Sequence, residues 1–271
     1  MNNSRHNKLA FFIVVMIITG LSCNFPSSNS EELAAATDTP DLAAASIPTD
    51  TQIIPTDTTA PASKCLPSTV GYWNFDQMEG TILTEMCETG NDGVIHGDAA
   101  WVEMDQRMGL QFDGIDDYVE IPNQAPFSLD TYTIEIILRI DSYPTDDQWI
   151  LFKGFFYGNY TVMIYANSEA YSYLNQNQDG GNFSMGSKNS LPLNEFVHIA
   201  IVRGTEAVTL YINGEEVSSY SSPPEAALWE EPVVFGAGGY KEIEKYFTGI
   251  IDEVRISNEA LDPSNFLVVS E

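Results

Sequence analysis

From Val70 onward, apolar and polar residues alternate in short runs separated by turn residues, a period of two that predicts β-strands. The longest run is Thr131 to Ile140. Tyr132, Ile134, Ile136, Leu138 and Ile140 fall on one face, and Thr133, Glu135, Ile137 and Arg139 on the other. Val70 to Phe75 opens the series, and Trp149 to Phe152, Tyr160 to Ala166 and Tyr171 to Asn175 continue it. Phe196 to Arg203 and Ala207 to Ile212 read as the arms of a hairpin, with Asn213-Gly214 turning the chain toward Glu216 and Val217. Met108, Leu110 and Phe112 alternate into Asp113-Gly114, and Val119 and Ile121 alternate out, which predicts a second hairpin. Pro232 to Ala237 and Tyr246 to Ser257 complete the set. The last of these has apolar residues on both faces, so it belongs inside a two-layer protein. The one helical stretch is a short turn near Asn258 to Phe266, limited by Pro263. The pattern predicts one all-β sandwich of about 200 residues.

The first quarter has a different texture. Arg5, His6 and Lys8 precede an apolar run from Leu9 to Leu21, too short for a spanning helix and of the form of an export leader over residues 1–22. Thr19-Gly20-Leu21-Ser22-Cys23 resembles a bacterial lipoprotein signal, with Gly20 where leucine is usual. That resemblance implies lipidation of Cys23 and an exported chain held on the cell membrane, facing away from the cytoplasm. Ordinary cleavage with secretion and a retained apolar anchor are the alternatives. Several acyl chains hold a protein stably on a bilayer, whereas one is marginal. From Asn24 to Lys64 the chain is rich in Ser, Thr, Ala, Pro and Asp and has no aromatic residue after Phe25. It cannot bury enough apolar surface to fold. Residues 23–64 therefore read as anchor and tether, spanning about 35–40 Å as a flexible coil, and residues 65–271 as the folded domain.

The chain has three cysteines. With Cys23 lipidated, Cys65 and Cys87 remain to pair in an oxidising compartment, the alternative being two buried thiols. A bridge closing that loop is worth about 3 kcal/mol. The 39 acidic residues against 11 basic ones give a net charge of −28, which opposes binding to nucleic acid and favours solubility and divalent cations.

Several phrases identify a family resemblance. Gly109-Leu110-Gln111-Phe112-Asp113-Gly114-Ile115-Asp116-Asp117-Tyr118-Val119-Glu120-Ile121-Pro122 and Gly249-Ile250-Ile251-Asp252-Glu253-Val254-Arg255-Ile256-Ser257 are two of them. Glu195-Phe196-Val197-His198-Ile199-Ala200 and Leu210-Tyr211-Ile212-Asn213-Gly214 are two more. Together, from about Gly71 to Phe266, they resemble the laminin-G-like branch of the concanavalin A-like lectin/glucanase family. The resemblance implies a jelly-roll β-sandwich of two antiparallel sheets. It also implies a structural Ca²⁺ joining the first strand to the last, with Asp76 and Asp252 as ligands and a carbonyl near Gly114 as a third. Alternatively, Asp252 accepts turn amides and Asp76 is a solvated loop acid.

Some relatives are glycosidases that place Glu-x-Asp-x-x-Glu along one concave strand. The nearest stretch here, Glu135 to Ile140, supplies one acid and an arginine, so no catalytic residue is assigned and the expectation is a non-enzyme. His198 reads as a satisfied core histidine, and His96 lies in a turn-like stretch. Sugar recognition needs aromatic rings beside amides and carboxylates. The aromatic stretch from Trp149 to Phe183 offers them, and Tyr157, Tyr171, Tyr173 and Asn175 are its candidate ligand contacts. The expected function is a membrane-anchored carbohydrate-binding module whose partner is a glycan or cell-surface polysaccharide. The alternatives are an adhesion module that binds an extracellular protein and, last, a hydrolase with an unrecognised acid pair.

Overall fold

The computed structural model describes residues 63–122, 125–154, 159–168, 170–176, 182–187, 190–239 and 243–269. The expected leader, Cys23, the tether as far as residue 62, and Tyr157 lie outside the described residues. The strands, in chain order, begin with β1 (Thr69–Trp73), β2 (Ile82–Leu83), β3 (Gly93–His96), β4 (Ala100–Met104), β5 (Arg107–Asp113) and β6 (Tyr118–Ile121). Then come β7 (Tyr132–Arg139), β8 (Gln148–Lys153), β9 (Tyr160–Ile164), β10 (Tyr171–Gln176), β11 (Asn182–Gly186) and β12 (Phe196–Arg203). The last are β13 (Ala207–Ile212), β14 (Glu215–Ser221), β15 (Val233–Phe235), β16 (Ala237–Gly238), β17 (Lys245–Tyr246) and β18 (Thr248–Ser257).

Two large antiparallel sheets form a sandwich, as the alternation predicts. The first runs β14-β13-β12-β7-β18-β5-β4, with β1 also paired to β18. The second runs β11-β10-β9-β8-β15-β6-β3-β2, and β16 pairs with β17 alone. The inward residues of both sheets, among them Trp73, Leu110, Phe112, Val119, Ile134, Leu151, Val162, Ile199 and Phe235, make one core. A helical turn spans Pro263–Asn265, where Asp262 caps the Ser264 amide. The Asn213-Gly214 turn joins the paired strands β13 and β14, as expected.

The Asp113-Gly114 phrase is not a hairpin. β5 pairs with β18 in the first sheet and β6 with β15 and β3 in the second, so the chain changes sheets there. Alternation places Phe112 and Val119 on the core side whether their strands pair or face each other, so the pattern alone does not separate the two cases. Gly114, at φ +83°, makes the corner, where a side chain would strike Thr248.

β18 lies between β7 and β5 and is buried on both sides. Its outer side is covered by the two ends of the domain. Leu261, Phe266 and Leu66 pack on Ala200, and Leu267 packs with Tyr72, Ile137 and Ile250. Charge is buried there as well. Glu135 Oε2 accepts Arg255 Nε at 2.6 Å, and the same guanidinium donates to the carbonyls of Lys64 and Asn265. A buried pair of this kind is sustained by such full hydrogen bonding. Cys65 and Cys87 form the expected disulfide, with Cα atoms 5.5 Å apart. Lys64, the last tether residue by sequence, is docked: its ammonium contacts Glu253 at 2.8 Å.

Candidate functional site

Tyr171 and Tyr173, expected on a ligand face, are fully buried in the core, and this corrects their assignment. Alternation does put them on one face, but that face is the inner one. Their polar tips are satisfied across the sandwich: the Tyr171 hydroxyl donates to the Tyr211 carbonyl at 3.1 Å, and the Tyr173 hydroxyl bonds that of Tyr132. Burial pushes both Tyr171 and Tyr132 upward in pKa, so they remain neutral. Asn175 is paired in register with Phe183 on β11; its side chain lies outside the description.

The outer face of the second sheet divides into two parts. On β8 and β9, Trp149, Phe152 and Met163 form a small cluster of their own, all buried. The β16–β17 hairpin lies over it: a side chain at Gly238 would come within 2.1 Å of the Trp149 ring. On β3 and β6 the face is half-open. His96 and Tyr118 are cross-strand partners whose rings stack at 4.3 Å with planes 9° apart, and both are partly exposed. Beside them, Val94 pairs with Glu120. Desolvation raises the Tyr118 pKa first, Glu120 and Tyr246 of β17 further, so its phenol stays a hydrogen-bond donor. Two stacked rings, a third ring nearby and a carboxylate thus border one patch. Sequence reasoning passed over these residues, although the signal was present: Val119 and Ile121 point inward, so Tyr118 and Glu120 must point out.

The expected calcium set does not assemble. Asp76 and Asp252 line the same small pocket, but Gly114 lies elsewhere, against Thr248. A β-bulge between Ile251 and Glu253 in β18 brings Asp252 and Glu253 to one guanidinium, with Arg107 Nε on Asp252 and its Nη2 3.3 Å from Glu253. Lys64 and the Tyr72 hydroxyl complete the Glu253 shell. Burial raises the Asp252 pKa to about 7 against the pull of Arg107. A carboxylate already paired with the Arg107 guanidinium does not fit a calcium ligand.

A different group of acids fits better. Oxygens of Asp98, Asp113 and Asp117 lie within 4.8 Å of one another, and no lysine or arginine pairs with them among the described residues. Asp117 is buried and accepts the Asp98 and Asp113 amides at 2.9 and 3.0 Å; Asp98 and Asp113 are exposed. Such carboxylates are the oxygen ligands calcium takes.

Residues 113–265 match a laminin G family described as the concanavalin A-like lectin/glucanases superfamily. The chain belongs to that superfamily. Solved structures with the same fold include domain 4 of AbnA, a GH43 extracellular arabinanase from Geobacillus stearothermophilus, in complex with arabinotriose. It is 17% identical with a TM-score of 0.57, over 73% of this chain and 96% of that one. The binding domain of Paraclostridial Mosquitocidal Protein 1 is 12% identical with a TM-score of 0.59, over 73% of this chain and 50% of that one. The binding domain of botulinum neurotoxin DC in complex with rat synaptotagmin II gives 12%, 0.57, 73% and 50%. The chain spans about half the length of these two toxin domains. No curated protein matches it.

Within this lectin/glucanase fold, Glu135, the one acid of the stretch nearest the glycosidase pattern, is fully buried. It holds Arg255, His198 and the Leu267 amide, so it serves the packing of the domain ends.

Proposed function

We propose that this protein is an extracytoplasmic binding module whose ligand is carbohydrate, bound on the outer face of β3 and β6. The observation that carries the reading is the half-open His96–Tyr118 stack with Glu120 beside it. Sugars present flat C–H faces that stack on aromatic rings and hydroxyls that bond to carboxylates and phenols. The arabinotriose-bound neighbour supports a glycan as the ligand class. A calcium ion would be held by Asp98, Asp113 and Asp117, at the ends of the strands that carry His96 and Tyr118, and would neutralise the carboxylates and tie the two loops together. Lipid on Cys23 would hold the module to the membrane, with the tether giving it reach; a hydrophobic mass on the Cys23 peptide, absent in Cys23→Ser, is the expected result.

The test is binding of the full-length chain to a panel of neutral polysaccharides, with Tyr118→Ala beside the native sequence. Saturable binding that falls at least tenfold in the variant is expected. Binding that survives in Tyr118→Ala places the sugar elsewhere, and no binding by folded protein sinks the glycan reading. A protein partner is the second reading, favoured by the exposed apolar pair Ile82 and Val94 at the β2–β3 edge. It is supported if Ile82→Lys abolishes capture of a surface protein that Tyr118→Ala leaves intact.

A further inference from the structure

On the opposite sheet, beneath the C-terminal segment, lies a pocket of about 390 Å³ that the glycan reading does not use. Its size falls in the range of small-ligand sites. His198 of β12 forms part of its wall and is only 2% exposed. Nε2 of that ring is 3.2 Å from Glu135 Oε1. A carboxylate paired with a guanidinium accepts only, so Nε2 carries the proton and, in the neutral ring, Nδ1 is left as an acceptor. No described residue donates to Nδ1. Nδ1 is not one of the fully buried side-chain atoms left without a partner, so it opens onto the pocket, where an entering donor would meet it.

Across the pocket, Asn213 Oδ1 accepts the His198 backbone N–H at 2.8 Å. That bond fixes the amide orientation and leaves Nδ2 as a donor with no described partner. Phe266 and Leu267 give an apolar floor, and Glu195 and Val268 stand at the exposed rim. One fixed acceptor, one fixed donor and an apolar floor suit hydroxyl groups on a carbon frame. The Glu195 carboxylate and a net charge of −28 disfavour an anion.

We propose that this pocket is a second ligand site for a small neutral polyhydroxy compound, such as one sugar unit, donating to His198 Nδ1 and accepting from Asn213 Nδ2. The proposal is independent of the His96–Tyr118 face. The test records the ¹⁵N resonances of the His198 ring and the Asn213 amide in the full-length chain as glucose, galactose, mannose, arabinose or glycerol is added. A saturable shift at His198 Nδ1 with at least one of them is expected. Asn213→Asp keeps the acceptor for the His198 N–H and removes the donor, and it should weaken the response at least tenfold. Val268→Trp, at a position 72% exposed, closes the pocket mouth and should abolish it. Neither change touches the Glu135–His198 pair, whose unaltered Nε2 resonance reports the fold. Tyr118→Ala should leave the response intact, which separates this outcome from the fate of the glycan face. Absence of any saturable shift, or a shift indifferent to both pocket variants, overturns the proposal.

Discussion

Replacing Tyr173 with phenylalanine removes one hydroxyl from the interior and leaves another, on Tyr132, without its partner across the sheets. A buried polar group that loses its partner is destabilised by about 1–3 kcal/mol. Tyr173→Phe should lower unfolding stability by that amount in urea while leaving glycan binding unchanged. Tyr118→Ala should do the reverse, because Tyr118 is partly exposed and its stacked partner His96 remains on the surface. The contrast isolates what the sequence could and could not convey. Tyr171-Ser172-Tyr173 and Tyr118-Val119-Glu120 both alternate cleanly, and alternation says which residues share a side without saying which side is wet. For β6 the aliphatic Val119 and Ile121 settle it. For β10 the inward residues are themselves phenols, and they reach acceptors on another strand about forty positions away, which no local pattern reveals.

Within β18, the bulge turns two consecutive acids to the same guanidinium and makes stability depend on pH. Burial places the folded pKa of Asp252 at about 7, above the ordinary carboxylate value near 3.8 in the unfolded chain. Between those values the folded protein holds a proton that the unfolded chain has released. Stability from this group is therefore greatest at the acid end and is lost as pH rises through about 7, by at most about 1.4 kcal/mol per pH unit. Asp76, raised by its own burial, acts in the same direction. Urea midpoints measured from pH 4.5 to 7.5 should fall with pH in the native sequence, and Asp252→Asn should flatten the slope; parallel slopes would remove Asp252 as the cause. The strand itself was legible, since apolar residues on both faces already placed it inside. The bulge was not, because Gly249-Ile250-Ile251-Asp252-Glu253 reads equally as unbroken alternation. Nor was the change of sheet between β5 and β6, where Asp113-Gly114 suits a corner as well as a hairpin.

Across the whole molecule, 39 acids against 11 basic residues make the surface repel itself, so any salt that screens it should raise stability somewhat. A bound ion differs from screening in being selective. Asp98, Asp113 and Asp117 come from the loops after β3 and around the β5–β6 corner, and an ion among them would join connections belonging to both sheets. Calcium accepts such irregular, many-oxygen surroundings, whereas magnesium demands a near-ideal octahedron and gives up its water reluctantly. At equal ionic strength, calcium should therefore raise the melting temperature above the magnesium value, by about 2–4 °C for each kcal/mol of binding free energy in a domain of this size. Asp113→Asn should remove the excess, since it takes away an exposed ligand and leaves both amide bonds of Asp117 in place. Asp252→Asn should leave the excess intact, because Arg107 already occupies that carboxylate. If calcium and magnesium act equally, screening alone accounts for the effect. If Asp252→Asn abolishes the excess instead, the ion sits at the Arg107 pocket and displaces its guanidinium.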